Sequence, residues 1–386
     1  MQVPFFRHGL SPEVAAAQVR AVVETPFLTS GPVGKQVEAQ LREFFAVDHA
    51  LLTSSWTNGM VATLLALGIG PGDQVVVPAM TFIATANVVR LVGAEVIFAD
   101  VDPLTLLLTP ATLAPVLNPR VKAVIPVHLY GQMCDMPALA AFLKDWPGVL
   151  LLEDCAHCFE GRYRNTPPGI HSSAAVFSFY ATKNVTCGEG GAVITRDAAL
   201  AERVAQTRLH GMSAGAADRF NQGQYRHWDM VRLGTKANLP DLLAALLPEQ
   251  IRHVETQRQV RQRLAETYRD AFAHLSWLRL PRWQPEQNHA HHLFPIHVPG
   301  VMRDAALTAL NGAGVGATVN YRAVHTLSHY RDTMNLAAGA FPVSHSWGEG
   351  TLSLPLFPSM REEEQDYVIQ QVKLKLTPLA QERGVA

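Results

Sequence analysis

Apolar and polar positions along this 386-residue chain switch repeatedly between two periods. Short β-prone runs at 50–53, 74–78, 95–100, 121–126 and 148–153 alternate with stretches where apolar residues recur every three or four positions. Those stretches predict helices at 33–45, after Trp56 through Met60, Leu64 and Leu67, and at 84–92, 110–116 and 136–144. An earlier helix opens with Ser11 as N-cap and Pro12 at its first position, a favourable pair at a helix start. This βα rhythm predicts a mostly parallel sheet sandwiched by helices. Reactive groups are then expected just beyond the carboxyl ends of its strands.

Further on, strands are expected at 174–179 and 192–195, with a helix at 199–208. Residues 209–235 are rich in glycine and polar side chains, the composition of a long functional loop. One long helix over 239–268, kinked near Pro248, leads into a second unit. That unit alternates strand 293–298, helix 304–311, strands 317–320 and 351–354, and a last helix 362–374. Two domains are expected: a large one over 1–245 and a smaller C-terminal α/β one over 246–386.

Composition narrows the function classes. Hydrophobic residues make up 48% and charged ones 17%, a balance that supports a packed core and excludes a disordered chain. A net charge of −1 gives no electrostatic reason to expect nucleic acid or an anionic membrane as partner. Residues 50–72 carry no charge, but Thr53, Ser54, Ser55, Thr57, Asn58 and Pro71 interrupt them, so no membrane span is expected. With no secretory pattern at the start, a soluble cytoplasmic protein is the expectation. Cys134, Cys155, Cys158 and Cys187 are too few for a disulfide framework, and the CxxC of Cys155 and Cys158 reads as two small buried thiols. His289, His291 and His292 have no carboxylate or thiol close by, so they read as structural and no metal centre is expected. Gly211-Met212-Ser213-Ala214-Gly215 follows a helix rather than a strand, which makes it a turn and not a nucleophile elbow.

The chemistry concentrates in two stretches. Val176 to Asn184 is an apolar strand that ends on Ser178, Thr182 and a single lysine, Lys183, before the glycines at 188, 190 and 191. Partial desolvation there lowers the lysine's pKa and frees an amine able to form a Schiff base. Val149 to His157 is a second apolar strand, ending in Asp154. An anchoring amine plus a strand-end carboxylate is the pair that pyridoxal phosphate (PLP) requires. Hydroxyls and glycine at 54–59 open a helix whose free amides and dipole suit a phosphate.

These segments, together with Leu67-Gly68-Ile69-Gly70-Pro71-Gly72-Asp73, the run from Pro78 to Asn87, and His128-Leu129-Tyr130-Gly131-Gln132, resemble the DegT/StrS-type family of PLP-dependent sugar aminotransferases. The similarity runs from about residue 10 to the last helix. It implies a fold-type-I architecture, with Lys183 as Schiff-base lysine and proton carrier and Asp154 as partner of the pyridinium nitrogen. It further implies His157 near the ring hydroxyl, Phe82 stacked on the ring, and Thr57, the amide of Asn58 and Ser178 around the phosphate. Asn238 is implied to reach the phosphate from a second subunit, in a segment ending at Asp241, which makes the active unit a homodimer. Ser30, Lys236, Tyr321 and His325 are implied substrate contacts. The implied reaction is ping-pong transfer from an amino acid, glutamate, to a nucleotide-linked keto-sugar. A sugar dehydratase of the same fold would carry histidine where Lys183 stands, and a PLP-binding sensor is the alternative outside enzymes. Three positions depart from the family pattern, with Trp56 in place of glycine, Thr235 and Ala237 in place of aromatics, and Asn320 in place of histidine.

Overall fold

Seven strands form a single sheet in the computed structural model, which describes residues 1–213, 220–221, 224–225 and 227–385. Part of the loop expected over 209–235, with Ala214 and Gly215 of its first turn, lies outside the described residues. Across the sheet the strands are ordered His49–Thr53, Gly191–Thr195, Ala174–Ser178, Leu150–Asp154, Val121–Val124, Gln74–Pro78 and Glu95–Ala99. Within it only Gly191–Thr195 runs against its neighbours. Helices cover both faces, which is why the strands are apolar throughout rather than alternating. Val75 and Val77 pack with Met60, Leu64 and Val88 on one face, while Val76 between them packs with Leu113 and Leu139 on the other.

Two helices are capped by carboxylates far away in sequence. Pro32–Phe45 follows Gly31, which has no side chain to cap with. The buried carboxylate of Asp241 takes that role, accepting from the amides of Gly31 at 3.0 Å, Val33 at 3.0 Å and Gly34 at 2.9 Å. A Cβ on Gly31 would lie 2.6 Å from Asp241 Oδ2, so only glycine admits this approach. Asp100 likewise accepts from the amides of Val343 and Ser344, both at 2.9 Å, at the start of Pro342–Gly350. That helix and Ser328–Met334 have no counterpart in the sequence expectation, and neither has a local side-chain cap.

The region expected as one kinked helix is two, Asp241–Ala244 and Leu247–Phe272. Pro248 sits in the first turn of the second, where its missing N–H is no loss, so it starts a helix rather than bending one. The last helix runs on to Glu382 and contains Pro378. Residues 317–320 do not form a strand. They make one bridge, Thr318 with Ser353, and the Asn320 carbonyl instead accepts from the Tyr130 hydroxyl at 2.6 Å.

A second core forms around the antiparallel pair Phe294–His297 and Thr351–Leu354, covered by Arg303–Gly312 and Glu362–Glu382. The helix Leu247–Phe272 spans both units. Leu247, Ile251 and Val254 pack with Phe45 and Phe177, whereas Leu264, Tyr268 and Phe272 join the second core. Val3 also belongs there: its amide donates to Gly314 O and its carbonyl accepts from Gly316 N, both at 2.8 Å. The first residues of the chain therefore pack against the second unit. Among the described residues no helix is long and apolar enough to cross a membrane. The four cysteines are free and buried.

Candidate active site

The parallel strands deliver their last residues to one edge of the sheet, where a cavity of about 460 Å³ opens. Asp154 is the final residue of its strand, and Ser178 is the final residue of the next one. Phe179 closes the apolar run after Ser178, fully buried. A turn from Tyr180 to Lys183 follows, in which the Tyr180 carbonyl accepts from the Lys183 amide at 2.9 Å.

Thr57, Phe82, Asp154, His157, Ser178 and Lys183 all line this cavity, and Tyr321 closes it from the second unit. Burial pushes the Lys183 ammonium down to about 8, opposed by the negative charge of Asp154. Burial pushes the Asp154 carboxyl up to about 6, opposed by the amide of Ala156 and the hydroxyl of Thr85. The pair thus sits near neutrality from both sides.

His157 accepts from the amide of Tyr130 at Nδ1, 3.2 Å away, so its proton is on Nε2, which faces the Tyr321 hydroxyl at 3.1 Å. Burial, with Lys183 and His292 nearby, holds His157 well below the usual imidazole range, and it stays neutral. Phe82 is half-exposed, its ring centroid 5.4 Å from that of Tyr321. The helix Trp56–Ala66 points its N-terminus into the cavity beside Ser178, and Ser55 caps it by accepting from the amide of Asn58 at 3.0 Å. That amide is therefore already engaged, and the Asn58 side chain turns to Ser54 Oγ at 2.9 Å, so Asn58 does not line the cavity.

The remaining expected residues lie elsewhere. Asn238 donates to Thr29 Oγ1 at 3.2 Å and Ser30 Oγ at 2.9 Å, and with Ser30 and Lys236 lines a separate pocket of about 570 Å³. His325 is buried against Phe341, away from the cavity. Among the lining residues that the sequence reading did not single out, two touch the central pair. Thr85 is one of them, and nothing in its helical surroundings marks it. His292 is the other: the histidine cluster splits, with His289 and His291 stacked at 4.2 Å beside Trp283, while His292 turns to Lys183. His128, Glu153 and Cys155 converge closely enough to suggest a cation. Glu153 is already satisfied by His128 at 2.8 Å, Gly169 N at 2.7 Å and Ser172 Oγ at 2.5 Å, so the cluster is a closed hydrogen-bond network.

These groups fit a phosphorylated pyridine aldehyde. The amine and carboxylate share the cavity, hydroxyls and a helix N-terminus suit a phosphate, and an aromatic ring stands by. Trp56, in the cavity wall, has an indole N–H that is buried without an acceptor among the described residues. A Cβ on Gly191 would lie 2.7 Å from the amide nitrogen of Trp56, so the cradle closes only around glycine.

Comparison with known proteins agrees. Residues 12–373 match the model of the DegT/DnrJ/EryC1/StrS aminotransferase family. DesV of S. venezuelae, solved with a ketimine intermediate, is 30% identical with a TM-score of 0.87 over 97% of this chain and 98% of its own. A family member from Brucella abortus is 30% identical, TM-score 0.82, over 94% and 95%. Spr1654 of Streptococcus pneumoniae, a candidate sugar aminotransferase in its PMP form, is 25% identical, TM-score 0.91, over 98% and 100%. The chain belongs to the DegT/DnrJ/EryC1/StrS aminotransferase family and is a PLP-dependent transaminase.

Proposed function

We propose that the protein moves an amino group from an amino acid, glutamate, to a keto-sugar carried on a nucleotide. The observation that carries this reading is the buried amine of Lys183 sharing one cavity with Asp154 and Phe82. PLP supplies an electron sink for the carbon that bears the nitrogen. Asp154 would hold the ring nitrogen protonated, Phe82 would cover a ring face, and His157 would meet the ring hydroxyl. Thr57 and Ser178 would hold the phosphate at the helix N-terminus. Lys183 Nζ anchors the cofactor and, once released, carries the proton at the substrate carbon.

Assembly as a homodimer with shared sites belongs to the same proposal. Asn238, Ser30 and Lys236 line a pocket apart from Lys183 in their own protomer, which suits a role in the partner's site. Phe27 and Leu28, next to the Thr29 and Ser30 that bind Asn238, are exposed apolar residues of the kind an interface covers.

The test is a panel of nucleotide keto-sugars offered to the enzyme after its conversion by glutamate. Release of 2-oxoglutarate during the conversion by glutamate, followed by amination of one sugar, is the expected result. Conversion of free keto acids but of no sugar would overturn the substrate class.

A further inference from the structure

Behind Lys183 a second set of polar groups is built as closely as the first. His292 Nε2 lies 3.5 Å from Lys183 Nζ, a long contact of the kind that tightens in a loaded site. His292 Nδ1 lies 3.2 Å from Asn184 Oδ1. Which ring nitrogen carries the hydrogen is decided by Asn184. Its amide nitrogen donates to Glu160 Oε1 at 2.7 Å and to the Ala290 carbonyl at 3.1 Å, and neither a carboxylate nor a carbonyl can donate back. Flipping the amide would aim oxygen at both acceptors. Asn184 Oδ1 therefore faces His292 and can only accept, which places the imidazole hydrogen on Nδ1. Nε2 is left as a lone pair directed at the lysine.

The support is itself anchored. Arg261 pairs with Glu160 Oε1 and donates from Nε to the Ala290 carbonyl at 3.1 Å, and both charged side chains are almost fully buried. Burial, with Lys183 and Arg261 adding positive charge, holds His292 well below the usual imidazole range, so it remains a neutral acceptor. Lys183 and His292 also border a second cavity of about 250 Å³, with Gln250, His253 and Arg261.

We propose that His292 is a positioning residue for Lys183, accepting a hydrogen bond from the lysine amine through Nε2, with its tautomer set by the Asn184–Glu160–Arg261 chain. An acceptor at that place stabilises the ammonium and opposes the desolvation that lowers it. The other titratable groups facing the pair are Asp154, His157, Tyr180, Tyr321 and Glu189 from the front cavity, with Glu160, Arg261, Arg7, Glu249 and His253 behind. The functional meaning rests on Lys183 being the cofactor lysine, but the hydrogen bond does not.

The experiment uses cofactor-free protein and reads modification of Lys183 by a small amine-reactive anhydride across pH, by mass spectrometry. His292→Phe removes the acceptor, so the midpoint falls from about 8 by about one pH unit, a tenfold change in the ammonium-to-amine ratio. His292→Gln offers a carbonyl oxygen and keeps the midpoint near that of the natural protein. Asn184→Leu releases the tautomer and shifts the midpoint in the same direction as His292→Phe. An unchanged midpoint in His292→Phe, or a His292→Gln midpoint shifted as far as that of His292→Phe, overturns the proposal. Should His292→Phe fail to fold, ¹⁵N NMR of the natural protein decides: hydrogen on Nδ1 supports the proposal and hydrogen on Nε2 overturns it. Borohydride fixing the cofactor elsewhere than Lys183 would remove the functional reading and leave the labelling result standing.

Discussion

Thr85 Oγ1 donates a 2.8 Å hydrogen bond to Asp154 Oδ2, while the amide of Ala156 donates to Oδ1 at 3.1 Å. Both bonds favour the ionised carboxylate against a burial that disfavours it. Thr85→Val should push the Asp154 carboxyl higher and weaken cofactor binding about tenfold, the scale of one hydrogen bond to a charge. Asp154→Asn should lower transamination by several orders of magnitude. Near-normal turnover in Asp154→Asn would mean that the carboxylate is structural.

The same carboxylate makes the cofactor-free protein less stable. Its folded pKa of about 6 exceeds the ordinary 3.8, so between those values the folded state binds more protons than the unfolded one. Stability contributed by this group falls as pH rises through that window, and about 3 kcal/mol is lost above it. Cofactor-free Asp154→Asn should therefore melt above the natural protein at pH 7.5, with the advantage shrinking towards pH 4. Equal melting at pH 7.5 would contradict the burial argument.

Cofactor capture should follow the neutral amine of Lys183. With its pKa lowered to about 8, the amine is mostly protonated at pH 6.5 and mostly free at pH 9. The rate of visible-band formation on adding PLP should rise through that range and level off above it. Lys183→Ala should show no such band while remaining folded, and borohydride should fix the cofactor to Lys183 in the natural protein.

Asp241→Ala strips three backbone amides at the start of Pro32–Phe45 of their shared acceptor. A loss of about 3 kcal/mol is expected, with Asp241→Asn losing less, read by urea unfolding. An unaffected midpoint would show that water replaces the carboxylate freely.

Subunit mixing tests the shared site. Co-expressing Asn238→Ala with Lys183→Ala should give hybrids in which one site has both residues intact and the other has neither. The intact site should bind PLP as tightly as the natural enzyme. Hybrids that bind only as weakly as Asn238→Ala homodimers would show that Asn238 serves its own protomer.

Periodicity alone determined the βα order, the seven sheet strands to within a residue or two, and the placing of Asp154 at a strand end, whereas Lys183, expected at a strand end as well, stands in the turn beyond Ser178. Local composition carries that information, because burial on both faces demands apolar runs and turns demand glycine. The tertiary structure decided what depends on residues far apart in the chain. Pro342–Gly350 had no local capping side chain because its cap, Asp100, lies 243 residues away from Val343. Residues 317–320 looked like a strand, yet the Tyr130 hydroxyl holds the Asn320 carbonyl in another arrangement. His292 looked like a member of a structural cluster until folding set its ring against Lys183, 109 residues earlier. A sequence pattern reports which face of an element is buried, whereas a site is an agreement in space among side chains that share no local pattern.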